Sequence, residues 1–302
     1  MTTARVAGRL SVAFLLDFVD VGRGDRDPVD MLILLAIVQA NVAPVMRETE
    51  LQRAYAAYDT PPPDDARRPV SVSAVAGSLG MPYETVRRRV VRMVRSGWCV
   101  VGPTGVYVSQ TVLTSPEHMA GAFASYERLR MFYYELKDLG VLPDYPPAAE
   151  PVEASAMIRA IMRLFGDYFL RTVKAVTESI GDVGGGLVML GIFRANTEHL
   201  SNTGNPADGP DEIIDDALRV PVSATHLAER LRLPKETVRR HVMRLVAEGR
   251  CVRTERGLLV PTEVLILATQ SVSQHLTHLN RLFVGLAQLG VLAAWDKARA
   301  PA

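Results

Sequence analysis

The chain has 302 residues, 48% hydrophobic and 22% charged, with a net charge of +1. That balance is globular rather than disordered, and the length suits about two domains of roughly 150 residues. No uncharged apolar run reaches the roughly 18 residues that span a bilayer, since the longest candidate, 31–46, is broken by Gln39, Asn41 and Pro44.

Taken in chain order, the pattern predicts a first helix over about 5–21. Its apolar stretch after Arg5 and Arg9 ends at Asp17, too early for a secretory h-region. A cytoplasmic protein with no membrane partner is the expectation. A second helix starts with Asp27 as cap and Pro28 at its first position. The polar loop "DTPPPDDARR" (59–68) leads to a short helix over about 72–79 and a tight turn. A longer helix carries "MPYETVRRRVVRMVRSGWCV" from Met81. Two β-rich pieces around a glycine, "CVVGPTGVYV", come next, and a helix over about 116–138 closes the series.

The series then recurs. "LPKETVRRHVMRLVAEGRCV" begins at Leu233, 152 positions after its counterpart. Pro69–Leu113 aligns with Pro221–Leu265 without a gap, and 21 of the 45 positions are identical. "LLAIVQAN" ending at Asn41 matches "MLGIFRAN" ending at Asn196, and "LRMFYYELKDLGVL" (129–142) matches "LNRLFVGLAQLGVL" (279–292). The second copy is expected to place helices over about 153–179, 224–231 and 262–288, with an acidic loop, "NPADGPDEIIDDALR" (205–219). The expected fold is mainly α with an internal duplication. The expected units are 1–145 (core 69–113) and 153–302 (core 221–265), joined by a Pro-rich linker at 146–152.

Charge follows the repeat. Residues 67–113 carry +6 and 219–265 carry +5, which leaves −10 for the remainder. Such focusing attracts polyanions. Arginines outnumber lysines 30 to 4, as in a GC-rich bacterial genome. Within the repeated phrase, Val86, Val90, Met93 and Val94 recur at helical spacing, as do Val238, Val242, Leu245 and Val246. The opposite face holds Glu84, Arg88, Arg92 and Arg95 in one copy, and Glu236, Arg240 and Arg244 in the other. A short helix, a turn and an Arg-faced helix make a helix-turn-helix pattern, and the glycine-centred hairpin supplies a wing.

Each segment resembles the winged helix-turn-helix of bacterial transcription regulators. "ETVRR" is similar to the recognition helix of the catabolite activator protein family, and the flanking helices resemble MarR-type regulators. The resemblance implies double-stranded DNA as partner, with Glu84, Arg88, Glu236 and Arg240 reading base edges. An Arg pairs bidentately with guanine, and a Glu accepts from the cytosine amino group. Tyr83, Thr85, Arg87, Arg92, Lys235, Thr237, Arg239, Arg244, Arg253 and Arg256 are then expected at phosphates or in the groove. Two recognition helices in one chain would meet two similar half-sites roughly 34 Å apart. A homodimer, a contact with RNA polymerase or another regulator, and a MarR-type ligand-responsive repressor remain open alternatives. No jelly-roll pattern or phosphate cassette accompanies the segments, so no cyclic nucleotide or other cofactor is expected.

Other residues point to structure. Cys99 and Cys251 occupy equivalent positions in the repeat and read as small buried residues. His275 and His278 lie one turn apart without further ligands and read as exposed helix residues, not a metal site. "GDVGGGLVML" lacks the Lys-Ser/Thr of a P-loop and reads as a helix start or a close helix packing. Tyr126, Phe132, Tyr133 and Tyr134 read as core or interface packing. No catalytic constellation is present in the sequence, and no enzyme activity is expected.

Overall fold

A computed structural model describes residues 3–145, 152–202, 215–267 and 269–299. All of the expected linker but residue 152, and 205–214 of the acidic loop, lie outside the described residues. The fold is mainly α-helical with two small antiparallel hairpins. In the first half, α1 (Thr3–Arg23), α2 (Pro28–Asn41) and a short α3 (Thr49–Ala54) precede α4 (Val72–Leu79) and α5 (Tyr83–Arg95). Strands β1 (Val100–Gly102) and β2 (Gly105–Tyr107) follow, then α6 (Gln110–Leu113) and α7 (Pro116–Asp138). The second half runs α8 (Ile158–Ile180), α9 (Val183–Thr197), α10 (Ala224–Arg230), α11 (Lys235–Ala247), β3 (Val252–Thr254) and β4 (Gly257–Leu259). It ends with α12 (Thr262–Leu267), α13 (Thr269–Gln288) and α14 (Val291–Arg299). Helices α3, α6 and α14 go beyond the sequence expectation, and α12 and α13 both lie within the helix expected over 262–288, on either side of residue 268, which is outside the described residues.

The chain divides into two compact units, but not at the linker. One comprises Val21–Arg130, Asp144–Ala175 and Thr277–Ala302; the other comprises Met1–Asp20, Met131–Pro143 and Val176–Leu276. Each unit keeps one 45-residue segment whole, whereas the boundaries cut through α1, α7, α8 and α13 in place of the expected 1–145 and 153–302. At about 1.5 Å per residue such helices run over roughly 30 Å, and a single core covers only part of that length.

Within each segment the local chemistry repeats. Ser71 caps α4 by accepting from Ala74 N, and Ser223 caps α10 by accepting from His226 N, both at 3.1 Å. Helix α4 ends at Gly80 in the left-handed region (φ 63°), where Met81 N donates back to Ala76 O. The matching position after α10 is Arg232, a side-chain-bearing residue at φ 47°, whose guanidinium bonds the Asp20 carboxylate at 2.6 and 2.8 Å. Behind α5, Val86, Val90 and Met93 are buried with Ile33, Ile37 and Leu79. Behind α11, Val238, Val242 and Leu245 are buried with Val188, Ile192 and Leu227. The apolar stripes are the expected ones, with Val94 and Val246 at their partly buried edges.

The hairpins pair Val101 with Val106 and Arg253 with Leu258. The second strand of each is bonded on its other side to Val70 or Val222. That approach is close: a Cβ on Gly257 would lie 2.7 Å from Val222 O, and one on Gly105 would overlap Val70 O. Both glycines also have φ near the positive limit, 150° and 141°, so glycine is required there. Asn41, at the end of α2, donates to Arg68 O and Val106 O and accepts from Val108 N. Asn196, at the end of α9, donates to Val220 O and Leu258 O and accepts from Val260 N. Each buried amide fastens a hairpin to its helix.

Candidate nucleic-acid interface

Helices α5 and α11 present the candidate side chains. Tyr83, Glu84, Arg87, Arg88, Arg92 and Arg95 are exposed on α5, with Thr85 half-buried. Lys235, Glu236, Arg239 and Arg240 are exposed on α11, with Thr237 and Arg244 half-buried. Arg253 and Arg256 are exposed on the second hairpin, whereas the first hairpin exposes Val100 and Val101.

Many of these charges have partners within the chain. Glu84 accepts two hydrogen bonds from Arg87, both 2.8 Å, while Arg88 stands 3.9 Å from it. Glu236 is held in the same way by Arg239 at 2.7 and 2.8 Å. These bonds keep both carboxyls below the ordinary glutamate range. The Glu expected to read bases beside Arg88 or Arg240 is thus engaged with Arg87 or Arg239 on its own helix. Among the described residues, Arg95, Lys235, Arg240, Arg253 and Arg256 have no ion-pair partner.

A second set of pairs ties each helix to the start of the helix behind it. Arg89 reaches Asp27 at 2.9 Å and Asp30 at 2.6 Å, and Arg92 reaches Asp30 at 2.5 Å. On the other side, Arg244 pairs with Asp182, and His241 Nδ1 lies 3.8 Å from the same carboxylate. Asp27 and Asp182 are also the caps of α2 and α9, accepting from Val29 N and Gly185 N. Burial alone would raise the Asp182 pKa, but the Gly185 N–H and Arg244 together hold it below the usual value. Arg92 and Arg244, expected at phosphates, are thus each paired with a carboxylate at the start of the helix behind. Sequence reading missed these pairs because the partners lie 62 residues apart.

The same accounting thins the charge excess. Arg67 and Arg219 have fully buried side chains. Arg67 donates to Val108 O and Pro62 O, each at 2.5 Å, and stands 3.2 Å from Asp64. Arg219 bonds Val260 O, Asp216 and Thr262. Arg230 pairs with Glu198 at 2.6 Å. The acidic partners come from outside the 47-residue segments, so a count along the sequence overstates the positive field.

The glycine run opens α9 by close packing: a Cβ on Gly184 would lie 2.6 Å from His241 Nε2, and one on Gly185 would overlap Arg244. The aromatic residues are packing residues. Phe132 stacks on Phe14 with centroids 4.2 Å apart, and buried Tyr126 accepts from Trp295 Nε1 at 3.0 Å. Cys99 and Cys251 are free and buried, and burial pushes their thiols up to about 12 and about 11. His275 and His278 are half-buried rather than exposed. Among the described residues no group of His, Cys, Asp and Glu could hold a metal ion, and no single helix is long and apolar enough to cross a membrane. Comparison with protein-family models, with curated proteins and with solved structures finds no match to this chain.

Proposed function

We propose that the chain is a transcriptional regulator that binds double-stranded DNA through two winged helix-turn-helix segments, the products of an internal duplication. The observation that carries this reading is the pair α5 and α11. Each is preceded by a short capped helix and a tight turn, is followed by a hairpin, buries the same apolar stripe, and exposes Glu and Arg at matched positions beside a half-buried Thr. An exposed arginine four residues after the glutamate, Arg88 or Arg240, suits bidentate pairing with guanine. Arg95, Lys235, Arg253 and Arg256, exposed on the same segments, would meet phosphates. Held by Asp30 and Asp182, Arg92 and Arg244 orient the helices instead of touching DNA. On this reading the protein acts in the cytoplasm, at the nucleoid.

The first segment supports a second reading, a contact with polymerase or another regulator. Tyr83, Val100 and Val101 are exposed there, Val101 at 66%, where the second segment has Lys235, Val252 and Arg253. A salt titration on random-sequence duplex separates the two. DNA binding loses affinity steeply and linearly in log salt, and a chain with no affinity for duplex at about 50 mM salt would leave only the protein contact. Footprinting of genomic fragments would then show whether one chain covers two half-sites.

A further inference from the structure

The clusters that hold α5 and α11 differ in acid–base content. Behind α5, Asp27 and Asp30 meet Arg89 and Arg92, with Arg89 at 2.9 Å from Asp27 and 2.6 Å from Asp30 and Arg92 at 2.5 Å from Asp30. The matching positions behind α11 are Asp182, Gly185, His241 and Arg244, one fewer acid and a histidine in place of an arginine. Asp182 Oδ2 accepts from Arg244 Nη1. Its Oδ1 accepts from Gly185 N at 2.7 Å and stands 3.8 Å from His241 Nδ1. The imidazole is 14% exposed and lies against the first turn of α9, where a Cβ on Gly184 would come 2.6 Å from Nε2. All of these residues belong to one compact unit.

With His241 neutral, the second cluster sets one carboxylate against one guanidinium. With the ring protonated, two cations crowd a single carboxylate in a partly buried place, an arrangement that costs stability. The first cluster holds two of each sign, and its aspartates and arginines keep their charges near neutrality. The charged groups acting on His241 are Asp182 at the start of α9, and Arg244 and Arg240 on its own helix. Glu248 stands 3.4 Å from Arg244 Nε. Helix α10, which shares the core behind α11, carries exposed His226 and Glu229, and its Arg230 is paired with Glu198. Glu178 at the end of α8 is exposed. Burial lowers the imidazole pKa; Asp182 opposes this, Arg244 and Arg240 reinforce it, and the result lies below the ordinary value.

We infer that the attachment of α11 to α9 is a pH-sensitive latch, closed while His241 is neutral and loosened when the ring takes up a proton beside Arg244, whereas the attachment of α5 to α2 is not. The ring binds its proton more weakly in the folded chain than in the unfolded one. Its contribution is therefore complete above the ordinary 6.5 and is lost as pH falls through the lower folded value. Because Asp182 also caps α9, loosening reaches both helices of the pair. Acidification then frees the helix that carries Lys235, Glu236 and Arg240, while the matched helix of the other unit stays fastened. The inference does not depend on DNA binding.

Hydrogen exchange of the full chain, corrected for intrinsic rates, tests it between about pH 7.5 and about pH 5, above the ordinary carboxylate range. Residues 235–247 and the first turn of α9 should lose protection several-fold on acidification. His241→Gln, which stays neutral, should abolish that loss and leave the pH response of residues 83–95 as it was. If it does not fold, His241→Arg/Gly185→Asp installs the residues of the first cluster and should abolish the loss equally; the new Cβ at 185 meets the yielding end of Arg244. Imidazole NMR supplies a second readout. His241 should titrate below 6.5, and Asp182→Asn, which keeps an oxygen to cap α9, should move it lower still. Protection of 235–247 that does not change with pH overturns the inference. So does a wild-type pH response in a folded His241 variant, or a titration that Asp182→Asn leaves in place.

Discussion

Replacing Glu84 and Glu236 together with glutamine tests how the paired charges on α5 and α11 act. Each carboxylate holds a guanidinium by two short hydrogen bonds, so Arg87 and Arg239 face their own helix rather than a ligand. The double variant removes two negative charges from the proposed DNA face and releases two arginines. Each neutralised phosphate contributes about 0.9 to the slope of log affinity against log salt, so two freed arginines steepen it by about 1.8. Between about 50 and 200 mM salt, a fourfold change, that is about a twelvefold larger loss of affinity. The assay is fluorescence anisotropy on a random-sequence duplex at five or six salt concentrations, comparing wild type with Glu84→Gln/Glu236→Gln. Low-salt affinity should rise, and preference for a footprinted operator over random sequence should fall, because a neutral amide oxygen is a weaker acceptor for cytosine amino groups than a carboxylate. An unchanged slope would refute the idea that the carboxylates sequester arginines that would otherwise bind phosphates.

Four further outcomes are expected. Arg88→Ala and Arg240→Ala should each relax preference at one half-site, by roughly 1–3 kcal/mol measured on operator variants. Asn41→Ala or Asn196→Ala leaves one buried N–H, that of Val108 or Val260, without its partner and removes one bond from each of two carbonyls, and should cost about 1–3 kcal/mol in urea unfolding. Gly105→Ala and Gly257→Ala should each cost roughly 1–3 kcal/mol, since backbone rather than a yielding side chain opposes the new methyl. His118 has a folded-state pKa of about 4, below its ordinary 6.5, so the unfolded chain binds the extra proton between those values. The associated stability is complete above pH 6.5 and is lost as pH falls toward 4, by about 3 kcal/mol in total. His118→Gln should flatten that window relative to wild type in urea melts in chloride buffer.

The parts of the fold fixed by neighbours along the chain were legible in the sequence. Asp27 and Pro28 mark the start of α2, and the valine spacing in "ETVRRRVVRMV" gives the buried stripe of α5. The hairpins follow from a glycine between β-rich pieces. What was not legible depends on partners far along the chain. Arg67 and Arg219 count as surface charge in any sequence total, yet their side chains are sealed beneath the hairpins by carbonyls some forty residues on. Arg92 reads as a free cation until Asp30, at the start of α2, is brought against it. The apportioning of α1 and α8 between two cores has no local signal, because an amphipathic helix carries the same pattern whichever core it meets.

The anchoring of α5 and α11 bears on any attempt to exchange their specificities. Grafting the α11 sequence into the place of α5 would put histidine at position 89 and leave buried Asp30 with the arginine at 92 alone, one of its two guanidiniums being lost. The reverse graft would set two arginines against the single carboxylate of Asp182, with Gly185 where the first unit has an acid. Neither helix is a portable cassette. A chimera that keeps both anchors would have to carry the residue at 30 or 185 along with the one at 89 or 241, so exchanging these helices takes coupled substitutions on two different helices.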